Sequence, residues 1–138
     1  SCDESGRLYV VHESPDAYEW LVSRVSPDGG AEEVLRLPPW QAREIAAASD
    51  GLYCLTEWNV EYIPFDGGQS RRVLDSAATG TNALQRIAFQ NGVLYAYDRD
   101  VDTREGRLLK FDIAQSEAQK QRVLTIANYS SDGKREAT

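Results

Sequence analysis

The chain has one histidine, His12, and two cysteines, Cys2 and Cys54, in 138 residues. One histidine cannot assemble a multi-histidine metal site. A catalytic dyad built on it would need a partner placed by the fold. In its simplest reading His12 is a satisfied or solvated strand histidine. The two cysteines lack metal-ligand spacing. They allow one disulfide in an oxidising compartment, or a buried free thiol at Cys54, which sits inside an apolar strand pattern. Cys2 near the N-terminus suggests a lipid anchor, which Ser1 before it argues against. No apolar run approaches the roughly 20 residues of a membrane span. No glycine-rich phosphate loop follows a strand and opens a helix. Positive charge is also short: 15 Lys and Arg against 22 Asp and Glu leave a net charge of −7. Such a surface repels phosphate backbones, so nucleic acid is not an expected partner.

What is present reads as a packed β protein. Hydrophobic residues are 41% and charged residues 27%, a globular balance with enough apolar surface for one core. Short β-branched and aromatic runs alternate with turn signals. The pattern predicts strands over Arg7–Glu13, Glu19–Ser26, Ala31–Leu37, Leu52–Glu57, Val60–Phe65, Arg71–Asp75, Leu84–Phe89, Val93–Arg99, Arg107–Ile113 and Arg122–Ala127. Pro27-Asp28-Gly29-Gly30 and Asp66-Gly67-Gly68 are turns that use glycine for positive φ. Ala42–Ala48 has a helix-forming composition, but its alignment with Gln85–Phe89 predicts a short buried strand.

That alignment belongs to an internal repeat. Asp28-Gly29-Gly30 falls on Asp66-Gly67-Gly68, Val34-Leu35 on Val73-Leu74, and Ile45-Ala46 on Ile87-Ala88. Gly51-Leu52-Tyr53 falls on Gly92-Val93-Leu94-Tyr95. Tyr9 to Tyr53 is 44 residues and Tyr53 to Tyr95 is 42. Units of roughly 40–50 residues with four strands each are the signature of propeller blades. The expected fold is therefore all-β, with antiparallel four-stranded blades over the single segment 1–138. Blade 1 covers 7–37, blade 2 covers 42–76 and blade 3 covers 84–127. The first unit shows three strands, with no clear inner strand before Arg7. Three blades make an incomplete ring, or half of an oligomeric one. Residues 128–138 are expected as a loose polar tail, or, with Ile126–Tyr129, as a strand that closes a neighbouring blade.

The sequence "Asp-Gly-Gly, then Val-Leu, then Ile-Ala, then Gly-x-Leu-Tyr" resembles the repeats of bacterial extracytoplasmic β-propellers of the TolB-like type. Pro27-Asp28-Gly29-Gly30 and Pro64-Phe65-Asp66-Gly67-Gly68 carry the match, and Phe111-Asp112-Ile113-Ala114 departs from it by lacking both glycines. The resemblance covers roughly Leu8–Ile126. It implies an extracytoplasmic propeller and no particular activity.

Chemistry-bearing patterns are sparse. Asp98, Asp100, Asp102 and Glu105 alternate over a hairpin tip and would suit calcium, which takes six to eight oxygens. Thr103 stands where an EF-hand loop needs glycine, and Arg99 and Arg104 compete for the carboxylates, so a solvated acidic loop is the simpler reading. Ser26-Pro27-Asp28-Gly29-Gly30 begins like an Asp-box but has Glu33 in place of the aromatic residue. Glu32 and Glu33 are adjacent, hence on opposite strand faces, and cannot act as one acid/base pair. Trp40 follows Pro38-Pro39 at the entry to an inner strand, where a ring face would display it. With Arg43 and Arg86 it forms the expected ligand-contact set. The function expected is a non-enzymatic scaffold that binds a protein or glycan through loops on one face, with further blades from this or another chain as partners. The alternative is part of a propeller hydrolase or lyase acting on carbohydrates or lactones.

Overall fold

Val93–Arg99 shows how the sequence pattern becomes structure. Leu94, Ala96 and Asp98 are buried and the residues between them are half-buried. That is the two-residue period of a strand with one covered face. The computed structural model describes residues 1–15, 19–37, 44–56, 59–75, 84–113, 123–132 and 134–136, with the backbone alone at Asp75 and Val123. Among them are eleven strands. They are β1 (Leu8–Glu13), β2 (Trp20–Val25), β3 (Ala31–Leu37), β4 (Glu44–Ala47), β5 (Gly51–Leu55), β6 (Asn59–Pro64), β7 (Arg71–Asp75), β8 (Leu84–Gln90), β9 (Val93–Arg99), β10 (Gly106–Asp112) and β11 (Val123–Tyr129).

The strands form three open antiparallel sheets, each an up-and-down run in chain order: β1-β2-β3, then β4-β5-β6-β7, then β8-β9-β10-β11. The alanine-rich Glu44–Ala47 is a strand because it pairs with Leu52–Leu55 and buries Ala46 and Ala47 between sheets. Burial there outweighs intrinsic helix propensity.

The second sheet lies between the other two. On one face Ala47, Leu52 and Cys54 pack against Tyr9, Val22 and Leu37 of the first sheet. On the other, Ala46, Tyr53, Leu55 and Val60 pack against Leu84, Ile87, Leu94 and Phe111 of the third. Every residue of β5 is buried in consequence. Aromatic rings mark both junctions: Tyr9 stacks on Phe65 at 5.3 Å, and Tyr53 meets Phe89 at 4.7 Å.

The three sheets share local devices. A Leu-Tyr-small run recurs in β1, β5 and β9, at Leu8-Tyr9-Val10, Leu52-Tyr53-Cys54 and Leu94-Tyr95-Ala96. Each outer strand pair carries a β-bulge at the same place. Val22 and Ser23 pair with Leu35 and Glu33, skipping Val34; Val60 and Glu61 pair with Leu74 and Arg72, skipping Val73. Leu108 and Leu109 pair with Ala127 and Thr125, skipping Ile126. A bulge bends and twists a strand locally, so its threefold recurrence gives the three sheets a common shape.

Two expectations are corrected at the ends of the chain. Residues 1–3 do pair with β1, through an isolated β-bridge. Cys2 bridges Leu8, Tyr9 N donates to Ser1 O at 2.7 Å, and Asp3 N donates to Arg7 O at 3.0 Å. Gly6, at φ 78°, makes the reversal that this pairing needs. Buried Asp3 holds the reversal together, accepting from Ser5 N, Arg7 N, Arg7 Nε and Tyr9 Oη at 2.7–3.0 Å. Across the sheet junction, Ala47 N donates to Ser1 Oγ at 3.0 Å.

The C-terminal stretch is not loose in its described part. Asn128 and Tyr129 complete β11, which pairs with β10 in its own sheet and so does not serve as a free closing strand. The chain then turns back, with Tyr129 bridging Arg135 and Glu136 N donating to Asn128 O at 2.9 Å. That turn copies Ser26–Gly30. At the earlier site, Asp28 Oδ1 accepts from Ser26 Oγ at 2.5 Å and from Gly30 N at 3.0 Å, while Ser26 N donates to Gly30 O. At the later one, Asp132 Oδ1 accepts from Ser130 Oγ and from Lys134 N, while Ser130 N donates to Lys134 O. In both, the serine hydroxyl first and then the backbone N–H hold the aspartate below the ordinary carboxylate range.

Candidate functional site

An up-and-down sheet sends alternate connections to opposite rims. One rim carries the reversals at residues 3–7, 26–30, 48–51, 65–70 and 91–92 and the connection from β10 to β11. The opposite rim holds the ends of β3 and β7, the starts of β4 and β8, and the hairpin from Asp100 to Glu105. Direct contacts show that the sheets present these rims on matching sides. Arg7 Nη2 reaches Ser49 O at 3.4 Å across the first rim. Glu44 reaches the third sheet across the other, pairing with Arg86 Nη1 at 3.6 Å and accepting from Ile87 N at 3.3 Å. We take this second rim as the candidate site, because strand ends present its side chains and it holds the recess beside Asp98 and Arg107.

Of the expected ligand-contact set, Arg86 is on this rim, highly exposed, and tied to the start of β4 through Glu44. Trp40 and Arg43 lie outside the described residues, as does Trp58. Trp20 is half-buried against the junction of the first two sheets, where it packs rather than contacts solvent ligands.

The most built feature of the rim is one that sequence reasoning missed. Asp98 is 1% exposed and accepts from Arg107 Nη2 at 2.7 Å. The pair is set by register, since Arg107 lies directly opposite Asp98 on β10. Around it is an open recess of about 160 Å³, also lined by Asp100, Glu105, Asn128, Tyr129 and Glu136. The sequence placed Asp98 in a calcium loop and did not pair it with Arg107. The available signal was the two-residue period, which puts Asp98 on the same buried face as Leu94 and Ala96.

Three of the four carboxylates of the expected calcium loop, Asp98, Asp100 and Glu105, border the recess but are not gathered closely around one point. Asp98 points into the sheet stack toward Arg107. Asp100 Oδ1 accepts from Asp102 N and Thr103 N, both at 2.9 Å, and these two N–H groups hold its carboxyl below the usual range. Asp102 and Glu105 are exposed on the hairpin. Among the described residues no three His, Cys, Asp or Glu side chains gather closely enough to hold an ion. The hairpin instead satisfies itself, with Asp100 N on Glu105 O at 2.8 Å and Arg104 in the left-handed region at φ 63°.

The remaining reactive groups are dispersed. Cys2 and Cys54 are both free thiols, the first exposed and the second buried. Burial, with a smaller contribution from Glu61, pushes the Cys54 thiol up to about 12, which keeps it protonated and inert. His12 Nε2 lies 2.9 Å from Ser23 Oγ, on the first sheet, whereas the recess is lined by residues of the third sheet and the turn after it. No helix among the described residues is long and apolar enough to cross a membrane. Set against protein-family models, curated proteins and solved structures, the chain matches none of them.

Proposed function

We propose that this chain is a run of β-propeller blades that serves as a non-enzymatic recognition scaffold, binding a protein or glycan through the rim that carries Arg86 and the Asp98–Arg107 recess. The observation that carries the reading is the stacking itself. Three successive sheets lie face on face, each with the same Leu-Tyr-small strand and the same outer bulge. A frame of that kind is rigid and leaves specificity to its connections. The resemblance of the Asp-Gly-Gly turns to extracytoplasmic propeller repeats supports a place outside the cytoplasm. Arg86 supplies an exposed cation at the rim, and Trp40 supplies an aromatic face for a sugar ring or an anchoring side chain.

A glycan array probed with the purified chain tests this, followed by titration of any hit with tryptophan fluorescence as the readout. The expected result is saturable binding to one glycan class that weakens at least tenfold in Trp40→Ala and in Arg86→Ala, with unchanged circular dichroism. Binding untouched by both substitutions would remove the rim from consideration. Turnover of the glycan by the chain would move the reading to the carbohydrate-active alternative, with Asp98 and Arg107 as its first residues to test.

A further inference from the structure

Five Asn-Gly or Asp-Gly pairs occur in the chain, and one of them differs from the rest in its bonding. In such a pair the glycine nitrogen can close a five-membered ring on the side-chain carbonyl carbon before it, and glycine has no Cβ to obstruct the approach. Four of the five side chains are held. Asp28 Oδ1 accepts from Ser26 Oγ and Gly30 N, Asp66 Oδ1 from Gly68 N at 2.7 Å, and Asp132 Oδ1 from Ser130 Oγ and Lys134 N. Asp50 accepts from the Tyr62 hydroxyl. An ionised carboxylate also repels a nucleophile, which a neutral amide does not. The fifth pair, Asn91-Gly92, is the two-residue tip of the β8–β9 hairpin, with Asn91 exposed and Gln90 paired to Val93. Its φ angles, 53° and 76°, are those of a tight hairpin turn. Among the described residues neither the Asn91 side chain nor Gly92 N makes a hydrogen bond. By contrast, Gly29 N donates to Ser26 O at 3.0 Å. A Cβ on Gly92 would meet nothing within 4 Å, so nothing crowds its nitrogen.

We infer that Asn91 is a site of spontaneous covalent modification, where asparagine converts to isoaspartate and aspartate through a succinimide with Gly92. Gly92 N loses its proton to hydroxide and attacks Asn91 Cγ. The new C–N bond closes the ring, the Cγ–Nδ2 bond breaks, and Nδ2 takes a proton from water and leaves as ammonia. Water then opens the ring at either carbonyl. Opening at Cγ restores the ordinary peptide link and gives aspartate. Opening at the α-carbonyl leaves the chain running through the side chain and gives isoaspartate. One water is consumed and one ammonia released, with no change of oxidation state. Either product adds one negative charge to the −7 of the chain. Isoaspartate also adds one carbon to the backbone, which a two-residue turn in this register does not accommodate. The Gln90–Val93 pairing then slips. Next to it Phe89, paired with Leu94, packs 4.7 Å from Tyr53 of the second sheet. The hairpin tip is therefore a slow clock on the junction between the second and third sheets, independent of what the Arg86 rim binds.

The test is peptide mapping by mass spectrometry, with fragmentation that separates isoaspartate from aspartate, on folded chain aged in neutral and mildly alkaline buffer. Asn91 is expected to convert about tenfold or more faster than Asn59, Asn82 and Asn128, each followed by a residue with a Cβ. The rate should rise with hydroxide, and Asp28, Asp50, Asp66 and Asp132 should stay unchanged. The isoaspartate-bearing fraction, separated by its added charge on anion exchange, is expected to unfold at lower urea than fresh chain. Asn91→Asp carries the same charge on an ordinary backbone and is expected to unfold with fresh wild type. Asn91→Gly, which fits the positive φ, replaces it if circular dichroism shows the first variant unfolded, and should not age. Conversion at Asn91 no faster than at the other asparagines overturns the modification site. An isoaspartate-bearing fraction that unfolds with fresh chain, or an Asn91→Asp chain as weak as the aged one, overturns the effect on the junction.

Discussion

Leu8, Leu52 and Leu94 occupy one repeat position in three environments, which makes their truncation a controlled experiment. Leu52 and Leu94 are 0% and 1% exposed between sheets, whereas Leu8 is 40% exposed on an open face. Truncating a fully buried leucine to alanine forfeits its transfer free energy and leaves a cavity, together about 2–5 kcal/mol. In a junction closed on both sides, as at β5, little collapse is available, so about 3 kcal/mol is expected for Leu52→Ala and for Leu94→Ala. Leu8→Ala leaves no enclosed cavity and forfeits only part of the roughly 1.5–3 kcal/mol that full burial gives, so its expected cost is about 0.5–1 kcal/mol. Urea unfolding followed by circular dichroism reads these directly. With an m-value of about 1.5 kcal/mol/M, the buried pair should lower the midpoint by roughly 2 M and Leu8→Ala by about 0.5 M, with m unchanged. Equal costs at all three positions would refute the stacking order, because that order alone makes identical residues unequal.

Removing Arg107, as Arg107→Ala, is expected to cost about 2–3 kcal/mol in the same assay by taking the charged partner from a buried carboxylate, with Asp98→Asn costing less; the reverse ranking would deny the pair its role. Gly51→Ala should destabilise by about 1–3 kcal/mol, because a Cβ there would stand 2.6 Å from both Ile63 O and the Tyr62 ring, and backbone cannot step aside. Burial, the largest influence on Asp3, raises its pKa, but bonds from Arg7, Tyr9 and Ser5 outweigh it, so the folded value lies below 3.8. Its contribution is therefore full above the unfolded pKa and lost as pH falls through the folded one. An acid titration of stability should steepen below about pH 4 in wild type and flatten there in Asp3→Asn. Maleimide should label Cys2 at once and Cys54 only on unfolding; two fast thiols in the native protein would place Cys54 elsewhere.

The tail shows why part of the structure was hidden in a single sequence. Ser130-Ser131-Asp132-Gly133 repeats the Ser-x-Asp-Gly of the 26–30 turn, yet its polarity reads as disorder, because a turn of small polar residues and a loose end share one composition. Ser1–Asp3 was passed over for a related reason. Three residues are too few for a periodic pattern, and only their bonds to Arg7 and Tyr9 reveal that they pair with β1. Linear spacing groups Asp98 with the hairpin carboxylates and cannot show its bond to Arg107 across the sheet. The ligand-contact residues Trp40 and Arg43 lie outside the described residues, and Arg86 takes its setting from Glu44 on another sheet, a contact that no local pattern announces.

The sequence by itself determined the strands, their turns and their threefold recurrence. Alternating burial, positive-φ glycines and the Asp-Gly-Gly and Leu-Tyr spacings are local rules, written within a few residues of where they act. Only the tertiary structure decided which sheet lies between which, that Arg107 answers Asp98, and that Leu8 and Tyr95 are left on outer faces while their repeats are covered. Those outcomes depend on faces that meet across 40 or more residues of chain, where the identity of a side chain says what it can bury but not what will bury it.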